Sequence, residues 1–177
     1  MFDRCLHNLY ILFYRQVQYL HLENKTPKES FAVCVKPFHE YDKVNQIIEF
    51  IELNRILGVE HFTFYNNTIS PQVSCILENY IDNNIVTLLP WKLDLKSKIE
   101  IRTENIFAAL NDCLYRNMYR FKYVLMVDVD EFIISKYNET LSDLVKFLDT
   151  KAHKKNIGAF NFKNAFFYLQ WPDDTDR

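Results

Sequence analysis

The chain has 177 residues, 49% hydrophobic and 16% aromatic, which is enough apolar material for one domain with a substantial core. Its 21 basic and 23 acidic residues nearly balance, which argues against the basic face of a general nucleic-acid binder. The only two glycines are Gly58 and Gly158, so a glycine-rich phosphate loop is excluded and a bound nucleotide has to be held by metal and side chains.

The N-terminal stretch LHNLYILFYRQVQYLHL is apolar but interrupted by Asn8, Arg15, Gln16, Gln18 and His21. It falls short of the roughly 18 continuous apolar residues a membrane span needs. It also lacks the small-residue cleavage site of a signal peptide, so it reads as an amphipathic helix. Polar Asn24–Ser30, with Pro27, is a linker. The chain therefore divides into an N-terminal helix and linker over 1–30 and a domain over 31–177. Should the protein be luminal, its targeting or anchoring segment lies outside this chain.

Phe31–Lys36, FAVCVK, predicts a buried strand ended by Pro37. Asp42 is placed to cap a helix whose Val44, Ile47, Ile48 and Ile51 share one face, with Gly58 as its C-terminal glycine. Val59–Tyr65 predicts a second strand, closed by Asn66-Asn67. Ser70-Pro71 supplies an N-cap and first-turn proline for a helix carrying Val73, Ile76, Leu77 and Tyr80. Ile85–Leu89 predicts a third strand. Helical spacing of Ile106, Phe107, Leu110, Cys113, Leu114 and Met118 predicts a helix over Thr103–Tyr119.

Tyr123–Ile134, YVLMVDVDEFII, is an apolar strand that breaks into three acids. An unbroken apolar run of this kind predicts a strand buried on both faces of a parallel sheet. Strand alternation puts Asp128 and Asp130 on one side and turns Glu131 to the other. Two carboxylates on one side of a strand end repel unless a cation or proton lies between them. The alternatives are a solvated acidic strand end and a cation site, and the cost of holding three acids idle favours the cation. Ligands of open α/β sheets also collect at the carboxyl ends of strands.

Thr140-Leu-Ser-Asp143 forms a capping-box-like start for a helix through Leu148. Lys151–Asn156 is a solvated basic loop, and Gly158–Phe162 and Ala165–Leu169 predict two late strands. The alternation of strands and helices argues for an α/β domain with a mostly parallel sheet flanked by helices.

The four cysteines, Cys5, Cys34, Cys75 and Cys113, form no CxxC pair and have no histidines at zinc-like spacing. Asn24, Asn66 and Asn138 each open an Asn-x-Thr sequon. Three sequons lean toward the secretory pathway, where a disulfide such as Cys75–Cys113 becomes available. The alternative for each cysteine is a small buried hydrophobe.

VCVKPFHEY, FIELNRILGVEHFTFYN, NDCLYRN followed by FKYVLMVDVDEFI, and FNFKNAFF together resemble glycosyltransferase family 92 over Phe31 to Leu169. The resemblance implies a GT-A-like domain of a Golgi type II membrane protein of the secretory pathway, with a luminal catalytic domain. It implies transfer of galactose from UDP-galactose to a glycan acceptor, with manganese or magnesium as cofactor. Asp128-Val129-Asp130 matches the DxD pair of such enzymes, with Asp130 as direct metal ligand and Asp128 shared between cation and ribose. Lys36 and His39, after the first strand, are candidates for the donor base, and Arg102 for the diphosphate. The bland reading of these three is ordinary surface solvation. Asn111 and Asp112 belong to the same motifs, with local capping or pairing as their alternative. Phe166, Phe167 and Trp171 are candidates for stacking on sugar, with core packing as the alternative for the phenylalanines.

The resemblance further implies that the catalytic region extends beyond Arg177, so the chain is expected to be C-terminally incomplete and to hold the donor side without an assignable general base. Two rivals remain. A DxD phosphatase is disfavoured by Phe132 and by the lack of a glycine after Asp130. A nucleotide-sugar-binding pseudoenzyme is the other, and the intact DVDE sequence counts against complete decay.

Overall fold

The computed structural model describes residues 28–92, 101–151, 158–163 and 165–166. The expected N-terminal helix, the Asn24 sequon, most of the 151–156 loop, and Phe167 and Trp171 lie outside the described residues.

Four strands and four helices alternate along the chain: β1 (Lys28–Cys34), α1 (Val44–Ile56), β2 (Val59–Asn66), α2 (Pro71–Asp82), β3 (Val86–Pro90), α3 (Ile101–Asn117), β4 (Phe121–Met126) and α4 (Leu141–Lys151). The strands form one parallel sheet in the order β3-β2-β1-β4. This is the α/β, GT-A-like arrangement the sequence predicts.

Period-two alternation explains how both sheet faces are covered. Phe31, Val33, Val35, Phe62 and Phe64 meet Ile47, Phe50 and Ile51 of α1 and Val73 and Leu77 of α2 in one core, joined by Leu141 of α4. Cys34, Tyr65 and partly buried Val124 pack with Ala109, Cys113 and Leu110 of α3 in a second cluster. The chain builds outward from β1 through β2 to β3, then returns to place β4 on the other side of β1. A right-handed crossover running in the reverse direction requires α3 to cover the opposite face, as observed.

The local chemistry mostly acts as the sequence predicts. The Ser70 hydroxyl accepts from the Val73 N–H at 3.3 Å, with Pro71 in the first turn of α2. The Thr140 hydroxyl accepts from the Asp143 N–H at 3.2 Å and donates to the Asp143 carboxylate at 2.7 Å. Gly58, at φ +104°, ends α1 in a conformation few side chains adopt.

Several expectations are corrected. The N-cap of α1 is Lys43 without a side-chain bond, and Asp42 contributes only its carbonyl, accepting from the Val44 N–H at 3.0 Å. β1 starts at Lys28 and stops at Cys34, leaving Lys36 beyond the strand. Residues 158–163 form no strand, and neither do Ala165 and Phe166. Phe160 and Phe162 are 36% and 41% exposed, and Phe166 is 77% exposed, against the core packing considered for it. Among the described residues, no helix is long and apolar enough to cross a membrane.

Candidate active site

Strand order reverses at β1, whose two neighbours are reached by opposite directions of winding. In open parallel sheets the crevice at such a switch point, beyond the carboxyl ends of the strands, is where ligands bind. Register dictates what stands there. Cys34 pairs with Met126, and the Val127 N–H donates to the Cys34 carbonyl at 3.3 Å, carrying the pairing one residue past β4. Lys36 and Asp128 therefore leave adjacent strands side by side, and their side chains form an ion pair.

The acids are not on a strand. β4 ends at Met126, and Asp128–Glu131 form a turn in which the Glu131 N–H donates to the Asp128 carbonyl at 3.0 Å. The Glu131 carboxylate folds back to accept from the Asp128 N–H at 3.0 Å. Three acids close together resist a straight strand, whereas a turn lets one carboxylate satisfy a backbone donor. This overturns the expectation that Glu131 faces away. Glu131 shares with Asp128, Lys36, Met126, Val127, Ile106 and Leu110 a shallow cavity of about 130 Å³.

Asp130 does not line that cavity. It is exposed, and its charge reaches the Tyr41 hydroxyl. Burial first, then the charges of Asp130 and Asp42, push the Tyr41 phenol up to about 12. Asp128 pairs with Lys36, and Asp130 lies near enough to Tyr41 for its charge to act there.

That loop is held firmly. Phe38 is buried at its centre, stacked on Tyr41 at 4.6 Å and packed on Phe64 at 5.2 Å. Its N–H donates to the Tyr65 carbonyl at 2.8 Å, and its carbonyl accepts from Asn67 and Thr68 at 3.1 Å each. The Tyr41 N–H donates to the Thr68 carbonyl at 3.1 Å, and Glu40 holds a left-handed φ of +49° while donating to the Thr68 hydroxyl at 3.1 Å. His39 is exposed, with Nδ1 3.5 Å from the Thr68 hydroxyl, and lies outside the Lys36–Asp128 cavity. Arg102 falls in the first turn of α3, and its side chain lies outside the described residues.

Beneath the cavity, α3 is fastened to the sheet. Cys34 and Cys113 form a disulfide, and Cys75 is bonded in another, which replaces the Cys75–Cys113 pairing considered from sequence. The buried Asn117 amide donates to the Thr63 hydroxyl at 3.1 Å and the Cys113 carbonyl at 3.0 Å. Asp112 accepts from the Tyr65 hydroxyl at 2.7 Å and from Arg116 at 2.6 Å, so its role is structural pairing. Burial and that acceptor raise the Tyr65 phenol well above its ordinary value, keeping it a neutral donor. Asn111 donates to the Phe107 carbonyl at 2.7 Å within its own helix.

Sequence reasoning missed Tyr41 as a neighbour of the site and turned Glu131 away from it. Tyr41 stands in the same FHEY segment as His39, and the Asp128–Glu131 spacing of three is that of a hydrogen-bonded turn. The carboxylates supply hard oxygen donors suited to manganese or magnesium. Among the described residues, no three His, Cys, Asp or Glu side chains gather into a cage. The donor set fits a cation bound through one or two carboxylates together with substrate phosphates.

The sequence profile of glycosyltransferase family 92 matches residues 29–175, covering the sheet and the site. The chain belongs to glycosyltransferase family 92. It is 32% identical over 116 residues to a beta-1,4-galactosyltransferase of Caenorhabditis elegans, covering 62% of this chain and 27% of that protein. It is 31% identical over 86 residues to a galactan beta-1,4-galactosyltransferase of Arabidopsis thaliana, covering 48% of this chain and 17% of that protein. A glycosyltransferase family 92 protein of C. elegans is 22% identical over 126 residues, 66% of this chain and 25% of its own length. The chain thus spans about a quarter or less of these relatives.

Proposed function

We propose that this chain forms the donor-binding part of a metal-dependent glycosyltransferase that moves galactose from UDP-galactose to a glycan acceptor. The observation that carries the reading is the Lys36–Asp128 pair at the switch point between β1 and β4. A diphosphate needs a cation from the protein and a metal ion; Lys36 supplies the first, and Asp128 with Asp130 would hold the second. The metal, when bound, neutralises the charge that develops on the leaving UDP.

The ion pair gives the site a resting state. Lys36 compensates Asp128 while no ligand is present, so neither charge stands alone. A diphosphate draws Lys36 away only if Asp128 gains another positive neighbour. Donor and cation are therefore coupled through these two side chains, each favouring the other. Glu131 fixes the Asp128 backbone, and the backbone bonds of the 38–41 loop hold in place His39 and Tyr41, the side chains that would meet the donor base. Galactose as the sugar is supported by the named activities of the relatives in nematode and plant. The disulfides support a secretory compartment, for which we infer the Golgi lumen.

The test is transfer of labelled galactose from UDP-galactose to β-galactoside-terminated and fucosylated glycans by the full-length protein. Activity is expected with manganese, to vanish with a chelator, and to fall at least 100-fold in Asp128→Asn. Undiminished transfer by that variant would overturn the site, and UDP binding without any transfer would favour a binding-only protein.

A further inference from the structure

The Cys34–Cys113 bridge joins the two walls of the cavity that holds Lys36 and Asp128. We propose that Cys34 and Cys113 are positioning residues of the donor site: their disulfide sets how α3 stands against the Lys36–Asp128 pair, so opening it weakens donor binding beyond its cost in stability. This deepens, and rests on, the reading of the cavity as a nucleotide-sugar site.

One wall of the cavity is α3, through Ile106 and Leu110, and the other is the strand ends, through Lys36, Val127 and Asp128. Ile106, Leu110, Cys113 and Asn117 recur at helical spacing, which places them on one face of α3. Cys113 and Asn117 are buried on that face. Ile106 to Leu110 reads Ile-Phe-Ala-Ala-Leu, with no polar side-chain atom to hold it, and Asn111 donates to the Phe107 carbonyl of its own helix. The wall is therefore held by packing and by whatever fixes the next turn.

The fixings of that turn go to two different strands. Asp112 accepts from the Tyr65 hydroxyl at 2.7 Å, the Asn117 amide donates to the Thr63 hydroxyl at 3.1 Å, and both partners belong to β2. Among the described residues, the disulfide is what bonds α3 to β1, and the Asn117 amide approaches β1 at the Cys34 sulfur itself, at 3.9 Å. β1 ends at Cys34, two residues before Lys36, and the Cys34 carbonyl accepts from the Val127 N–H at 3.3 Å, one residue before Asp128. Cys34 thus joins α3, β1 and the end of β4 at one residue. With the bridge open, α3 keeps its ties to β2 and can pivot about them, shifting Ile106 and Leu110 against Lys36 and Asp128.

The test uses the full-length protein, with UDP in manganese as the probe. Cys34→Ala/Cys113→Ala is compared with Leu77→Ala, a core truncation on the opposite face of the sheet, and urea midpoints establish conditions in which both are folded. Isothermal titration is expected to show UDP bound about 10-fold or more weakly by the bridge variant, the size of one lost charge-assisted phosphate contact, and as in wild type by Leu77→Ala. Tyr65→Phe, which removes a tie to β2 and keeps the bridge, is expected to bind UDP like wild type. Hydrogen exchange reads the geometry without the donor: the Val127 and Asp128 amides are expected to exchange faster in the bridge variant than in Leu77→Ala. If the double alanine variant does not fold, Cys34→Val/Cys113→Ala, which refills the strand position with a β-branched side chain, replaces it. UDP affinity unchanged by opening the bridge, or weakened equally in Leu77→Ala or Tyr65→Phe, overturns the proposal. Absence of UDP binding in wild type refutes the donor reading instead, and the exchange comparison alone then decides the positioning role.

Discussion

Replacing Lys36 by alanine separates a structural ion pair from a ligand site. The Lys36 and Asp128 side chains are 47% and 31% exposed, so solvent screens their attraction. Exposed pairs contribute roughly 0–1 kcal/mol, and Lys36→Ala is expected to lower folding stability by no more than that. The effect on ligands is larger and has two signs. A charge-assisted contact to a phosphate contributes about 1.5–3 kcal/mol, so UDP affinity in manganese is expected to fall roughly 10- to 150-fold. Manganese alone, no longer competing with the lysine for Asp128, is expected to bind unchanged or up to about 5-fold tighter. Isothermal titration of UDP and of manganese, each with and without the other, reads all of these quantities. Urea unfolding supplies the stability control. If UDP affinity survives, or if both ligands weaken together by similar factors, the coupling through this pair is refuted.

Three further outcomes follow from particular contacts. Glu131→Ala removes the acceptor of the Asp128 N–H and is expected to weaken manganese-dependent UDP binding about 10-fold, with Glu131→Gln milder; titration showing Ala equal to wild type would refute the turn's role. Opening the Cys34–Cys113 bridge, whose ends are 79 residues apart, is expected to cost up to ~4.5 kcal/mol on the loop-entropy estimate, read from urea midpoints of the double Cys→Ala variant. His61 is held below its ordinary pKa of 6.5, first by burial and then by the Arg120 charge, so the unfolded chain binds this proton before the folded one. Stability is therefore expected to fall as pH drops below about 6.5, and His61→Gln to flatten that limb in urea midpoints between pH 7.5 and 5.5.

The elements that sequence located well are those whose signals are local. Ser70-Pro71, Gly58 and Thr140 with Asp143 each act through backbone groups within a few residues, so their chemistry is readable from spacing alone. The unbroken apolar run Phe31–Val35 predicts a strand covered on both faces, and the two clusters on opposite faces of the sheet explain why. The late phenylalanine-rich run failed because β propensity reports only fitness for a half-buried pleated surface, and among the described residues 158–163 and 165–166 pair with no strand. Cys34 could not be matched to Cys113 from spacing, since the bridge depends on how α3 crosses β1.

The site was legible as chemistry but not as geometry. Asp128 and Asp130 are visible as acids at the end of an apolar run, yet their direction was read by extending the strand past its true end. A strand persists only while a neighbour completes its ladder. Beyond Met126 the last pairing is the Val127 N–H on the Cys34 carbonyl, because β1 itself stops at Cys34. The acids then turn, and Glu131 supplies the partner that the ladder no longer offers to Asp128. The end of β1 thus determines both where the turn begins and which side chain stands across from Asp128. Lys36 follows Cys34 by two residues, as Asp128 follows Met126 by two, so the Cys34–Met126 register brings the charges together. That pairing spans 92 residues of sequence, and no local pattern encodes it. It follows only from the placement of β4 beside β1, the same reversal of strand order that opens the crevice.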